Sequence, residues 1–441
     1  MRLKIGLCAL AAFGSATSAQ TPSVSRPAPS RTTTGSGTAQ GGDSLRLSRR
    51  QAIAEALNRN AQLEIAREQT AQARARRVTA IAVPDPTLSA GYDGLNGPFT
   101  FGAPGASRPV QLDLDIPFPT KFRLNNRIGW ADIRANESNY RLQQQTVALQ
   151  ASSTYDSLLV ALRQRDILRE SRELAADFLK RTQARFDAGT AAKLDVIQAQ
   201  VAVAQSQNDL IANERDIATA QASLNRTLGR VIGAAIVPSD SLAEPPPLPD
   251  SATVEQVALT NRPELAILQQ QQLGARATTS LTKQFWFPDF TMSIQRDYSQ
   301  PGSPLFTTGI SLPLPALYWQ HSRGDIAAAQ HFEKELDATY RDARAQVTQD
   351  VRSAYANAST AMRQVVFLRD ELVPSAREAF RISSTSYSLG GSSALEVLTA
   401  RSALLDAQRQ LADALAAAST ARADLDRALG ISLSTLGASP R

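Results

Sequence analysis

The stretch Arg185–Val196, RFDAGTAAKLDV, returns at Ser386–Val397 as SYSLGGSSALEV. Each copy carries an aromatic residue, Phe186 or Tyr387, then a glycine three residues later, then small residues. An acid–valine pair, Asp195-Val196 or Glu396-Val397, then opens a heptad run. Gly189 and Gly390 stand where one helical pattern stops and another begins, the place of a C′ glycine in the left-handed conformation. Downstream of the first copy Val196, Val203, Leu210, Ile217 and Leu224 recur every seven residues; downstream of the second, Val397, Leu404, Leu411, Ala418 and Leu425 do. Positions three further on are mostly small: Ala199, Ser206 and Ala220, then Ala400, Ala407, Ala414, Ala421 and Ala428. A sustained seven-residue repeat imposes a left-handed supercoil, and small residues along the seam let helix axes approach closely. Both runs share one register, 201 residues apart, so the chain reads as a duplicated helical hairpin.

Outside the hairpins the pattern is also given twice. Helical periodicity starts at Ser48, an N-cap, passes Ile53, Leu57, Leu63 and Ile65 towards Ile81, and is stopped by Pro84 and Pro86. The period then changes from helical to alternating. Leu88, Ala90 and Tyr92 alternate with Thr87, Ser89 and Gly91, and Val110, Leu112, Leu114 and Ile116 alternate with Gln111, Asp113 and Asp115, across a Gly- and Pro-rich loop, Asp93–Pro109. Such alternation suits strands with lipid on one side and water on the other, and equally a half-buried strand pair on a soluble core. Pro117 and Pro119 mark a sharp exit into a helix from about Lys121 to Gly189, which at 1.5 Å per residue spans roughly 100 Å. A helix of that length has to pack laterally in a coiled coil or helical tube.

The second half repeats the plan. Ala258-Leu259-Thr260-Asn261-Arg262-Pro263-Glu264-Leu265 echoes Ala56–Leu63, and Pro288-Asp289 echoes Pro84-Asp85. Strands are expected at Phe290–Gln295 and Leu305–Leu312 around a Gln300–Pro304 turn, then a proline exit at Pro313 and Pro315, then a long helix from about Tyr318 to Tyr387, kinked near Pro374.

Composition removes whole classes of function. The net charge is +6, but the arginines are dispersed among Asp and Glu on amphipathic helices, with no basic block, so no nucleic-acid partner is expected. Residues 1–19 read as a secretory signal cleaved after Ala19, and its removal takes the sole cysteine, Cys8. Residues 20–43 read as a disordered segment rich in Ser, Thr, Pro and Gly. Beyond the signal no apolar run reaches the ~18–20 residues of a transmembrane helix, so entry into a membrane has to be by strands. His321 and His331 are ten residues apart on a helix, off a common face, and no acid or cysteine cluster completes a ligand set. With no phosphate loop, nucleophile elbow or zinc pattern either, no enzyme, metal site or cofactor is expected.

The order helix, strand pair, long helical hairpin, given twice behind a signal segment, resembles the outer membrane factor (TolC-like) family. The resemblance is carried by Phe186-x-x-Gly189 with Asp195-Val196, by Tyr387-x-x-Gly390 with Glu396-Val397, by the helix ends Leu224–Gly229 and Leu425–Gly430, and by Asn261–Leu265. It covers roughly Leu45 to Gly430. It implies a mixed, mainly α fold. Residues 44–240 form the first repeat with its strand pair at 87–116, residues 241–250 a Pro-rich connector, residues 251–431 the second repeat with its strand pair at 290–312, and residues 432–441 a tail. It further implies a homotrimer whose strands, four per chain, make one 12-stranded barrel in the outer membrane, with the hairpins forming an α-barrel through the periplasm. Four strands cannot close a barrel and open edges are not tolerated in lipid, which requires the same sharing between chains.

The implied partners are a periplasmic adaptor, an inner-membrane pump of the resistance-nodulation-division type, and outer-membrane lipid. Proline-bearing strand exits and the short length resemble the branch serving heavy-metal pumps. The tips Gly189-Thr190 and Gly390-Gly391 hold the adaptor-docking positions. Tyr387 and Asp195 hold those of an aperture tie, and Glu396 that of an aperture acid. Ser392 falls where the family bridges hairpins with an arginine, so that latch is absent unless Lys193 or Arg185 replaces it. Asp113 and Asp115, on the polar side of a strand, either bias a pore towards cations or only solvate its lumen. Two function classes follow: an exit duct for an efflux pump or type I secretion machine, and a periplasmic adaptor or coiled-coil scaffold without a pore.

Overall fold

The computed structural model describes residues 45–91, 108–298, 305–313 and 322–431. The signal and 20–43 segments, Tyr92, most of the 93–109 loop, the 300–304 turn, Pro315, Tyr318, His321 and the 432–441 tail lie outside them.

The first repeat runs β1 (Leu45–Leu47), α1 (Arg49–Arg59), α2 (Ala61–Ala80), β2 (Thr87–Ala90), β3 (Pro109–Ile116), α3 (Pro119–Asp187) and α4 (Lys193–Thr227). After β4 (Ile236–Pro238), which pairs in parallel with β1, the second runs α5 (Ser251–Asn261), α6 (Pro263–Thr282), β5 (Phe290–Asp297), β6 (Leu305–Ser311), α7 (Ser322–Phe367), α8 (Val373–Leu389) and α9 (Ala394–Leu429). Ser48 caps α1 in a capping box with Gln51. The single helix expected from Ser48 to Ile81 is two. Asn60 turns out of helical geometry (φ −70°, ψ 127°), caps α2 by accepting from the Gln62 amide at 2.9 Å, and donates to the Thr227 carbonyl.

Glycines close both hairpin arms. Gly189 (φ 73°) and Gly390 (φ 86°) are left-handed, and at each the next amide bonds back to the carbonyl five residues earlier, Thr190 to Arg185 and Gly391 to Ser386. The seam is buried at Val196, Ala199 and Leu224 in α4 and at Val397, Leu404, Ala407, Ala418 and Leu425 in α9, and half-buried at Val203, Leu210, Ile217 and Leu411 between them. Equivalent cores form in the two repeats, with Val147, Tyr155, Leu224 and Leu228 in one and Val347, Tyr355, Leu425 and Leu429 in the other.

The expected kink near Pro374 takes the form of a π-turn, Leu368–Leu372, between α7 and α8, with Pro374 at the start of α8. A proline has no N–H for the carbonyl four residues back, so the ladder has to rearrange there. The turn also absorbs one extra residue. Tyr155 and Tyr355, before it, are 200 residues apart, whereas Gly189 and Gly390, after it, are 201 apart.

The other four strands form one antiparallel sheet in the order β2-β3-β5-β6, so the two repeats meet at β3–β5. Its register aligns Leu88, Leu112 and Ile294, and beside them Leu114, Met292 and Ile310, on one face. Gln111 and Gln295, Asp113 and Ser293, and Asp115 and Thr291 pair on the other. The apolar face is bare: Leu88, Leu112, Met292, Ile294 and Ile310 are all exposed, the last at 78%. Aromatic residues flank it, with Trp286, Phe287 and Phe118 towards the helices and Tyr298 and Phe306 at the far end. Among the described residues no helix is long and apolar enough to cross a membrane. An apolar band between two aromatic girdles is the outer surface of a membrane strand set.

An arginine at Leu112 or Ile310 is therefore expected to destabilise the membrane-inserted protein by about 2–4 kcal/mol if it lies near the bilayer midplane, and one at Gln111 or Ser311 by little. Urea unfolding in lipid vesicles measures both; equal tolerance on the two faces would mean a soluble β-domain.

Candidate functional site

The two hairpin tips lie side by side. Phe178 and Leu179 of α3, Ala199 of α4, Phe380 and Tyr387 of α8, and Ala394, Val397 and Leu398 of α9 pack into one cluster. The Phe178 and Tyr387 rings are 5.1 Å apart at 53°. That packing corrects one expectation. Tyr387 does not bond Asp195; its hydroxyl donates to Thr182 Oγ1 at 3.4 Å, and Thr182 in turn donates to the Phe178 carbonyl at 2.9 Å. The ring is drawn against α3 by Phe178, which directs the hydroxyl away from α4. Asp195 instead accepts from the Ala192 amide at 3.4 Å, closing the first turn of α4.

Arg185, not Ser392, bonds between the two hairpins. Its guanidinium donates to the Tyr387 carbonyl on the second hairpin and to the Thr190 carbonyl at 3.2 Å on the first, and lies 4.6 Å from the Tyr387 ring centre. Ser392 stays within its own hairpin, donating to the Ser383 carbonyl at 3.1 Å, and Lys193 lies over Phe186 of its own hairpin at 5.2 Å.

The buried Arg401, further along α9, escaped the sequence reading. It donates from one nitrogen to the Ser171 carbonyl, to Ser171 Oγ and to Ser206 Oγ, each at 3.1 Å, so it joins α9 to both α3 and α4. Burial lowers its pKa, and the charge of Asp209 opposes that. The available signal was Ser206, a hydroxyl at a seam position whose counterpart in the second repeat is Ala407; a buried hydroxyl needs a partner. Further along α3, Asp156, 1% exposed, accepts from Ser419 of α9 at 2.7 Å and pairs with Arg49. Burial pushes its carboxyl up, opposed by Ser419 and Arg49. Arg185, Arg401 and Asp156 thus fasten the repeats together, with Gln145 donating to the Gly430 carbonyl at 2.6 Å and Gln164 to Asp413 at 3.0 Å beside them.

Glu396 is exposed in the first turn of α9, and its amide donates to the cap Ser393 Oγ at 3.3 Å. Gly189, Thr190, Gly390 and Gly391 are exposed at the tips, beside the exposed Leu389, Leu194 and Leu395. Asp113 and Asp115 lie away from the tips, on the polar face of the sheet, bonded by Gln111 at 2.6 Å and Thr291 at 2.5 Å. Among the described residues no cluster of three His, Cys, Asp or Glu could hold a metal ion, and His331 is exposed.

The outer membrane efflux protein family model matches residues 47–230 and 254–431, one segment in each repeat. The chain belongs to the outer membrane efflux protein family. Members of this family are channels of the outer membrane, which places the chain there with its helices in the periplasm. It is similar to the pyoverdine export outer membrane protein OpmQ of Pseudomonas aeruginosa, 25% identical over 313 residues. That match spans 69% of this chain and 65% of the relative's own length. The cobalt-zinc-cadmium resistance protein CzcC of Cupriavidus metallidurans is 23% identical over 309 residues, 68% of this chain and 73% of that one. Among solved structures, the Campylobacter jejuni CmeC outer membrane channel shares the fold with a TM-score of 0.73 at 17% identity, over 87% of this chain and 85% of that one.

Replacing Arg401 by alanine leaves the Ser171 carbonyl and two hydroxyls short of a donor, and is expected to cost about 1–3 kcal/mol in chemical unfolding. Arg409→Ala, which removes a partly exposed pair with Asp209 at 3.4 Å, is expected to cost under about 1 kcal/mol.

Proposed function

We propose that the chain is a passive exit duct, a homotrimer whose strands close one outer-membrane barrel and whose hairpins carry the lumen through the periplasm. The observation that carries this reading is the amphipathic four-stranded sheet whose edge strands, β2 and β6, are unpaired on their outer sides among the described residues. In hydrocarbon those edges need partners, and a second and third copy of the same sheet provide them with the apolar face continuous. A coiled-coil scaffold has no use for such a sheet. Cargo is read as small toxic compounds or metal ions, in keeping with relatives named for pyoverdine export and for cobalt, zinc and cadmium resistance. The energy comes from an inner-membrane pump reached through an adaptor, which is read as docking at the glycine tips, where Leu389 is 84% exposed. Glu396, one per protomer, is read as a ring of carboxylates at the aperture, with Tyr387, Asp195 and Arg185 holding the tips around it.

The fractionation test is direct: a duct stays with the outer membrane after high-salt washing and conducts in planar bilayers, and a scaffold does neither. Gly390→Trp and Leu389→Glu are expected to abolish efflux with trimer yield intact; normal efflux in both would reject docking at the tips. Like charges gathered on the axis favour cations and are screened by salt. Single-channel recording of Glu396→Gln should therefore show lower cation selectivity and weaker block by divalent ions. Unchanged selectivity would place the aperture elsewhere.

A further inference from the structure

The apolar face of the sheet carries a charge at its far end. On β5, Phe290, Met292 and Ile294 share that face, and the next residue on it is Arg296, in register with Val110 on one side and Phe306 on the other. Its guanidinium carbon lies 4.6 Å from the Tyr298 ring centre and 5.2 Å from that of Phe306, and its Nε is shielded with no hydrogen-bond partner. Strand alternation puts the exposed Arg108 on the same side, two residues before Val110, and its carbonyl accepts from the Tyr298 amide at 3.2 Å. Tyr298 is thus flanked by the Arg296 guanidinium over its ring and by the backbone of Arg108.

Three facts determine what this patch meets. β5 is paired on both sides by strands of its own chain, β3 and β6, so closing a barrel with other copies covers neither β5 nor its outward face. The nine residues from Phe290, at the helix end, to Tyr298 are about what a tilted strand needs to cross the hydrocarbon, so Tyr298 lies at the outer boundary and Arg296, two residues back, roughly 5 Å inside it, within snorkelling reach of the headgroups. The helices leave from the opposite end, so that boundary is the outer leaflet. A guanidinium there is cheap to place, unlike one at the midplane. The two rings hold the guanidinium beside them, and its planar fork of donors matches phosphate oxygens.

We propose that Arg296, walled by Tyr298 and Phe306 and with the exposed Arg108 one strand away, forms a site for the phosphate of a phosphorylated glycolipid headgroup in the outer leaflet. The aromatic walls sit at the level where acyl chains begin, which suits a lipid-borne phosphate over a free one. The proposal rests on the reading of the sheet as membrane-spanning.

The test uses the full-length protein, wild type and Arg296→Gln, with bisphosphorylated lipid A, the same lipid enzymatically dephosphorylated, and inorganic phosphate as competitor. Native mass spectrometry after detergent dilution reads retained lipid. The wild type is expected to retain lipid A roughly tenfold better than Arg296→Gln and better than it retains the dephosphorylated form, as loss of a charge-assisted phosphate contact requires. Arg296→Lys, which keeps the charge and loses the fork, is expected to fall between them. Equal retention by wild type and Arg296→Gln, or of the two lipids, overturns the site. Displacement of lipid A by millimolar phosphate overturns the choice of ligand. Trimer yield and insertion into vesicles are read alongside, because a wild type that does not insert overturns the membrane reading instead.

Discussion

A strand edge cannot be left open in hydrocarbon, and the architecture of this protein answers to that constraint. Each chain contributes four antiparallel strands whose two outer edges, on β2 and β6, have no partner among the described residues. Each bare N–H or C=O in lipid costs several kcal/mol, so a membrane-inserted state exists only when other copies complete the sheet. The register makes this feasible. The pairing of β3 with β5 joins strands from different repeats and brings their apolar residues onto one face, leaving Asp113, Asp115, Gln111 and Gln295 on the other. A slip of one residue there would turn acids towards lipid.

The helices follow from the same duplication. Each strand pair feeds a hairpin too long to fold on itself, and small seam residues let the hairpins pack side by side. Apolar heptads alone would permit the two hairpins of one chain to slide, because alanine contacts are nearly equivalent along the seam. The buried polar groups remove that freedom: Arg401 reaches Ser171 and Ser206, Asp156 reaches Ser419, and Arg185 holds the Tyr387 carbonyl. Each would be left unsatisfied by a shift of one turn. The residues that fasten the repeats are thus the few polar ones within an otherwise small-residue seam.

The amino-acid sequence by itself determined what depends on near neighbours. The left-handed glycines at 189 and 390, the Ser48 cap, the alternation of four strands and the buried heptads are consequences of local sterics and periodicity, and a duplicated order makes them legible together. What depends on residues far apart was not legible. The helix break at Asn60 is stabilised by a contact with Thr227, and the π-turn before Pro374 shifts the repeats from 200 to 201 residues apart. The Tyr387 hydroxyl goes to Thr182 and not to Asp195 because Phe178, two hundred residues away, packs on its ring. The arginine bridges and the side-by-side setting of Arg296, Tyr298 and Phe306 likewise appear only once helices and strands are placed. Periodicity is written into each segment, but the partner of a buried donor is chosen by packing across the chain.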